Sequence, residues 1–372
     1  MTRMCDLTED LVVEILTRVP ITSLRAVRST CKSWDALSKG CIFGKAASTQ
    51  QFIGFMTLNL EVYSLRFDLQ EFRKDKEDYT SIKQIAIPNQ LEISKVFHCD
   101  GLVLCVPKNN SSIMVWNPYL GQRRWIEPRK RLYSLDSYAL GYDNNRNYKI
   151  LRFYDINFHD FFEYEIYNFS SNSWSVLDIT PDWIIRRPQR SVSLKGRTYF
   201  VAQGKSPNVK SFFICFDFTR ERFGQLLPLP FDSDGRETVN LSCVRQEKLA
   251  VLFRRREAVD NIRLEIWVTN ETEPNVVSWS KFLKVVLPQY SRFMSYCGAG
   301  SFFIDEEKKV AVVFDVDICN SLKTVIIGED GYFKSVCVGK YHSRYIFPLI
   351  SSAYLPSLVQ IDQPCKSKEG DA

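Results

Sequence analysis

Histidine is nearly missing from this chain: His98, His159 and His342 are the only three in 372 residues, and each stands alone. A metal site or a Ser/His/Asp relay would have to be gathered from distant positions, with no local signature. Glycine is also scarce, at 16 residues, and no P-loop or dinucleotide fingerprint occurs. Gly298-Ala299-Gly300 lacks the spacing of a phosphate-binding loop and reads as a turn. None of the 11 cysteines forms a C-x-x-C pair. Most, such as Cys105, Cys215 and Cys243, lie in apolar runs where a thiol packs as a small hydrophobe. That usage fits a reducing compartment, cytoplasmic and/or nuclear. No run approaches the roughly 20 uncharged apolar residues of a membrane span. The first twenty residues carry charges throughout and lack the core of a signal peptide, so a chain that neither enters a membrane nor leaves by secretion is expected. Neither sign of charge dominates: 49 Lys and Arg are interspersed with 43 Asp and Glu, for a net +6. Nucleic-acid and membrane-surface binding are therefore not expected.

Apolar material is plentiful, with 45% hydrophobic and 13% aromatic residues. The chain is longer than the roughly 250–300 residues at which single cores stop growing, so two domains or a modular repeat are expected.

The first forty-five residues read as helix. Thr8 can cap a helix whose first turn carries Glu9 and Asp10 at the positive end of the dipole. Leu11, Ile15 and Val19 recur along one face, Leu7, Val12 and Leu16 add a second apolar row, and Pro20 stops the helix. Ser23 can cap a second segment, with Leu24, Val27, Cys31, Trp34 and Leu37 at steps of three and four, a break near Thr30 and an end at Gly40. Two or three short helices make a marginal core, so the remaining apolar face needs cover. Either a partner protein or the chain's own C-terminal part can supply it.

Leu7, Asp10, Leu11, Glu14-Ile15-Leu16, Arg18-Val19-Pro20, Ser23-Leu24, Val27, Arg28, Cys31-Lys32, Trp34 and Leu37 stand at the spacing of the F-box, and residues 6–45 resemble that module. The resemblance implies docking on a Skp-family adaptor through Leu7, Asp10, Leu11, Ile15, Leu16, Val19, Pro20, Leu24, Val27, Cys31 and Trp34. Thr8 stands where the family usually carries proline.

From residue 51 onward the period changes to that of strands, rich in Phe, Tyr, Val and Ile and bounded by Gly, Pro, Asn and Asp. A strand, turn and strand pattern repeats in MVWNPYLGQRRWIEP, YEIYNFSSNSWSVLDITP, FICFDFTRERFGQLLPLP and LEIWVTNETEPNVVSWSKFLKVVLP. Trp116, Tyr167, Phe216 and Trp267 recur about every fifty residues, with Phe67 one period earlier, which is the period of a kelch-type blade. A second strand pair precedes each, so every period holds the four strands of a blade. About six such units would stack around an axis, closed by a strand from SSAYLPSLVQI beside QFIGFMTLNL. A β-sandwich with accidental aromatic spacing is the alternative.

KVFHCDGLVLCV, VWNPYLGQRRWIEP, ALGYDNNRNYKILRF, YEIYNFSSNSWSVLD and AYLPSLVQI, in this order, resemble the F-box-associated domain of plant F-box proteins, a kelch-related propeller-like module. The expected fold class is α+β in separate domains: a helical F-box over 1–46, a large all-β, kelch-like β-propeller over 51–361, and a flexible tail over 362–372.

The charged runs Arg129-Lys130-Arg131, Arg254-Arg255-Arg256 and Asp305-Glu306-Glu307 read as turns between strands. Arg123, Arg124 and Trp125 combine charge with a stacking surface, as interaction hot spots do, although Trp125 occupies a blade-repeat position suited to packing. His98, between Phe97 and Cys99, reads as structural. No catalytic residue, cofactor or metal is expected. The resemblance implies a substrate receptor of a cullin-based ubiquitin ligase, holding the adaptor at one end and an unidentified target protein on the propeller. The alternatives are an interaction scaffold outside a ligase, or a kelch-type propeller enzyme with convergent carboxylates, tyrosines or histidines at one end of its axis.

Overall fold

The computed structural model describes residues 7–18, 27, 29–37, 51–68, 80–85, 91–108, 112–130, 136–155, 162–185, 191–205, 211–232, 237–245, 247–258, 261–273, 276–288, 301–316, 321–340, 350–351 and 354–361. The period change near residue 50 is a change of architecture: α1 (Glu9–Arg18) and a helical stretch at 32–37 precede six antiparallel sheets. The first sheet holds β1 (Gln51–Leu58), β2 (Glu61–Asp68) and β3 (Thr80–Ile85). The second runs β4 (Ile93–Cys99), β5 (Leu102–Pro107), β6 (Ile113–Asn117) and β7 (Gln122–Ile126). The third is β8 (Ser137–Tyr142), β9 (Tyr148–Asp155), β10 (Phe162–Asn168) and β11 (Ser173–Leu177). The fourth contains β12 (Trp183–Ile184), β13 (Ser191–Leu194), β14 (Arg197–Gly204), β15 (Ser211–Asp217), β16 (Arg222–Phe223) and β17 (Leu227–Pro228). The fifth is β18 (Thr238–Val244), β19 (Lys248–Ala258), β20 (Asn261–Glu273) and β21 (Val276–Pro288), and the sixth β22 (Phe302–Asp305), β23 (Val310–Val316), β24 (Ser321–Gly328) and β25 (Phe333–Lys340).

Each sheet is one blade of a six-bladed propeller, and the expected strand pairs fall where the repeat puts them. The fourth sheet departs from four strands because its first and last columns are broken: β12 and β13 share the same side of β14, and β16 and β17 the same side of β15. The ring closes where β26 (Ile350–Ser351) pairs antiparallel with β1 through Phe55–Ser351 and Met56–Ile350. The closing strand thus uses only the start of SSAYLPSLVQI; residues 354–361 run on as an irregular strap.

Burial follows the layering. β5 and β6 are buried at every position because each lies between neighbouring blades, whereas the rim strand β25 alternates between exposed and half-buried positions. Among the described residues the apolar core is divided by seam. Each seam has its own cluster, such as Met56, Leu65, Phe303 and Phe314 between blades 6 and 1. Phe153, Tyr164, Phe200 and Phe216 fill the seam between blades 3 and 4. Inner-strand hydroxyls also cross the seams: Ser193 Oγ donates to the Leu140 carbonyl at 2.6 Å and Ser242 Oγ to the Phe302 carbonyl at 2.7 Å. Stacking neighbours therefore buries strand faces pairwise, which is how a long all-β chain avoids one oversized core.

Left-handed residues make the hairpin turns tight enough to pack. Gly101 has φ +79°, and a Cβ there would stand 2.2 Å from Ser357 Cβ, so glycine lets the strap lie against blade 2. Gly196, at φ +80°, receives the Tyr142 ring of the adjacent blade in the same way. The run Arg254-Arg255-Arg256 corrects the sequence reading: it lies inside β19, paired with Leu264, Arg263 and Ile262 of β20. A long hairpin partner extends the strand through a charged stretch that in isolation resembles a turn. Among the described residues, no helix is long and apolar enough to cross a membrane. Gly298-Ala299-Gly300, Arg131, His159, His342 and the tail at 362–372 lie outside the described residues.

Candidate functional site

α1 begins after Thr8: the Val12 amide donates to the Thr8 carbonyl at 3.0 Å, which puts Thr8 in the capping position. The two apolar rows have different fates. Val12 and Leu16 are 4% and 1% exposed and form a cluster with Leu7, Val27, Trp34 and Leu37. Leu11 is 48% exposed, beside exposed Asp10, with Ile15 half-buried next along the row. The second segment does break at Thr30, whose hydroxyl donates to the Val27 carbonyl at 2.5 Å before the helix restarts at 32. Cys31 is half-buried there.

Of the residues assigned to adaptor contact, the structure therefore brings Leu7, Leu16, Val27 and Trp34 together inside the module. It leaves Asp10 and Leu11 on the surface, with Ile15 and Cys31 half-buried. Val19, Pro20 and Leu24 lie outside the described residues. An exposed leucine beside a carboxylate, on a helix anchored from behind, is suited to docking and not to bond chemistry.

What anchors the helix from behind comes from the propeller. Tyr119, 0% exposed, and Leu120 belong to the turn between β6 and β7 and complete the cluster under Val12 and Leu16. Asn117 shapes that turn: its Oδ1 accepts from the Tyr119 and Leu120 amides at 2.9 and 3.0 Å. Sequence reasoning took VWNPYLGQ for a blade hairpin and missed this second role. The available signal was two bulky apolar residues in a turn, where polar ones are usual.

Charged residues of the propeller tie blades to one another in some places and strands within one blade in others. Arg124, read as a hot spot, is 6% exposed and reaches across to blade 3, where its Nη2 donates to Tyr167 Oη, the Phe169 carbonyl and Asn172 Oδ1 at 3.0–3.1 Å. Trp125 is half-buried against the cluster between blades 1 and 2. Arg152 is fully buried between two fully buried carboxylates, Asp136 at 2.8 Å and Glu165 at 3.0 Å. Burial, reinforced by the Asp136 charge, pushes the Tyr138 phenol well above its ordinary range. Arg129 pairs with Glu163 and Glu165, each at 2.8 Å. At the other ends of the strands Lys149 joins Glu221 of blade 4 at 2.8 Å, and Arg146 joins Asp100 of blade 2 at 2.6 Å.

Two carboxyls are held below their usual range. Burial alone would raise Glu265, but the Arg263 hydrogen bond and charge, with Lys281 and the Trp267 indole, outweigh it. Burial likewise opposes the hydrogen bonds that Asp143 accepts from Asn147 and Asn145, and the bonds prevail. Burial pushes the Cys105 and Cys215 thiols up to about 12, so both pack as neutral groups. His98 is 8% exposed, its ring 6.3 Å from that of Tyr354. Among the described residues, no group of three or more His, Cys, Asp or Glu is placed to hold a metal ion.

Comparison with known proteins agrees with this architecture. Residues 53–361 match the family described as F-box associated beta propeller domain, and residues 4–45 match the F-box domain. An F-box/kelch-repeat protein of Arabidopsis thaliana is 51% identical over 401 residues, covering 100% of both chains. An F-box protein of the same plant is 50% identical over 388 residues, covering 97% of this chain and 100% of its own. A second F-box/kelch-repeat protein is 49% identical over 398 residues, covering 96% and 91%.

Proposed function

This chain belongs to the plant F-box proteins that carry an F-box associated β-propeller domain, and from that membership we propose that it is the substrate-recognition subunit of a Skp/cullin/F-box ubiquitin ligase. F-box proteins are in general non-catalytic receptors. The chemistry proposed here is therefore proximity: one chain holding adaptor and target together raises the concentration of target lysines near the ligase's ubiquitin-charged partner. The target is a protein held on the propeller.

The observation that carries this reading is the division of α1 into a sealed row and an open one. Leu16 and Val12 are consumed by the chain's own fold, while Leu11 remains 48% exposed with Asp10 and Ile15 beside it. An apolar side chain left at that exposure on a fixed helix suits insertion into an adaptor pocket. The adaptor face is accordingly assigned to Asp10, Leu11 and Ile15, with Leu7, Leu16, Val27 and Trp34 supporting it from within.

The test is a pull-down of the full chain by a purified Skp-family adaptor, followed by titration. Leu11→Ala should weaken binding by about 2 kcal/mol, roughly thirtyfold, as loss of a central anchor does. Adaptor binding that is equally tight in the variant would refute the assigned face. No binding by the unaltered chain would refute the ligase reading and favour a scaffold.

A further inference from the structure

The strap at 354–361, the turn at 117–121 and α1 form one mechanical chain. Asn117, 0% exposed, faces both ways. Its Oδ1 holds the Tyr119 and Leu120 amides, while its Nδ2 donates to the Ser357 carbonyl at 3.0 Å and the Val359 carbonyl at 2.8 Å. All four partners use one side-chain amide, so the position of the strap and the shape of the turn are set together. The strap is itself fixed. The Tyr354 ring meets Phe55 edge-on at 4.9 Å, Ile361 packs in the seam between blades 2 and 3, and the Ile361 amide donates to Gln122 Oε1 at 3.2 Å. On the other side of the turn, Tyr119 and Leu120 occupy the underside of α1.

We infer that the 117–121 turn is a docking surface for the chain's own F-box, with Tyr119 as the positioning residue and Asn117 as the link through which the C-terminal strap governs the seat. The F-box is then not a bead on a string. Its core is finished by the propeller, and the direction in which Leu11 faces is set by a strap near the far end of the propeller sequence. A chain whose strap is loose keeps an intact F-box sequence but loses the fixed platform beneath it. The consequence for adaptor geometry rests on the ligase reading above; the seating itself does not.

The two are separated by hydrogen exchange on the full-length protein, reading the amides of 9–18, of 359 and 361, and of β5 as an internal reference for an intact propeller. Tyr119→Ser should accelerate exchange across 9–18 about tenfold or more, with β5 unchanged, because local opening of α1 no longer has to withdraw a buried ring. Tyr119→Phe, which keeps the ring, should restore most of the protection. Asn117→Asp retains the acceptor for the two turn amides and loses both donations to the strap; it should accelerate 359 and 361 and, with them, 9–18. Unchanged exchange of 9–18 in Tyr119→Ser overturns the seat. Acceleration confined to 359 and 361 in Asn117→Asp overturns the link to the strap. Leu11→Ala serves as the separating control: it should cost adaptor binding while leaving exchange of 9–18 as it was. Loss of adaptor binding without faster exchange in Tyr119→Ser would therefore count against the seat and not against the ligase reading.

Discussion

The helical module and the propeller solve the same problem in opposite ways. Each blade covers its neighbour, and the ring covers itself, so that apolar strand faces end in seams, while Arg124 is spent on hydrogen bonds to the next blade and Arg152 on ion pairs inside its own. The N-terminal module is too small to do this. It borrows Tyr119 and Leu120 to finish one face and leaves Leu11 open on another. The adaptor surface we propose is apolar area on α1 that the fold does not reach.

The contrast is testable by damage, beginning with the largest effect. Arg152→Ala leaves Asp136 and Glu165 buried without their shared cation and should cost the propeller about 3–5 kcal/mol in urea unfolding. If stability barely changes, the third blade is not held together by this buried charge cluster. Leu16→Ala should cost about 2–5 kcal/mol, read as faster exchange within α1 only, while Leu11→Ala on the open row should stay within about 0.5 kcal/mol. Equal costs for the two leucines would erase the distinction between rows. Gly101→Ala puts a methyl 2.2 Å from Ser357 Cβ at a left-handed position, and a loss of about 1–3 kcal/mol in the propeller transition is expected.

Acid should have the smallest and most diffuse effect. Glu265 and Asp143 both have folded-state values depressed below their ordinary 4.5 and 3.8. The stability they contribute is complete above those ordinary values and is lost as pH falls through the folded ones. Thermal midpoints should therefore be insensitive to these two groups from pH 7 to about 5 and decline below about 4.5, less steeply in Glu265→Gln. A decline in Glu265→Gln as steep as in the unaltered chain would show that this carboxylate does not hold blade 5.

The blade count was legible because strand, turn and strand recur about every fifty residues, and Trp116, Tyr167, Phe216 and Trp267 each sit on the third strand of a blade. Both amphipathic rows of α1 were legible for the same reason, a simple period. Which row faces inward was not, because the residue that decides it, Tyr119, is about a hundred positions away. Arg152 escaped notice and Arg124 was read as a surface hot spot, since a charge is read as exposed until its partners are known, and those partners lie on neighbouring strands and blades. The Arg254-Arg255-Arg256 run failed through the same bias, applied to a strand. For α1 and the blade strands local pattern predicted the element and long-range pairing decided the environment; at 254–256 long-range pairing decided the element as well.

The closing pair has a further consequence in time. Phe55 and Met56 wait for Ser351 and Ile350, which follow them far along the chain. At the roughly 5–20 residues per second of chain synthesis, the interval is on the order of 15–60 s. Throughout it β1 has a bare edge, open to any passing strand. A message cut short before Ile350 would leave that edge bare permanently, with no strap to hold Asn117 from the far side. Such a chain has every residue of its first helix and of the turn beneath it, and lacks only the strand and strap that close the ring behind them.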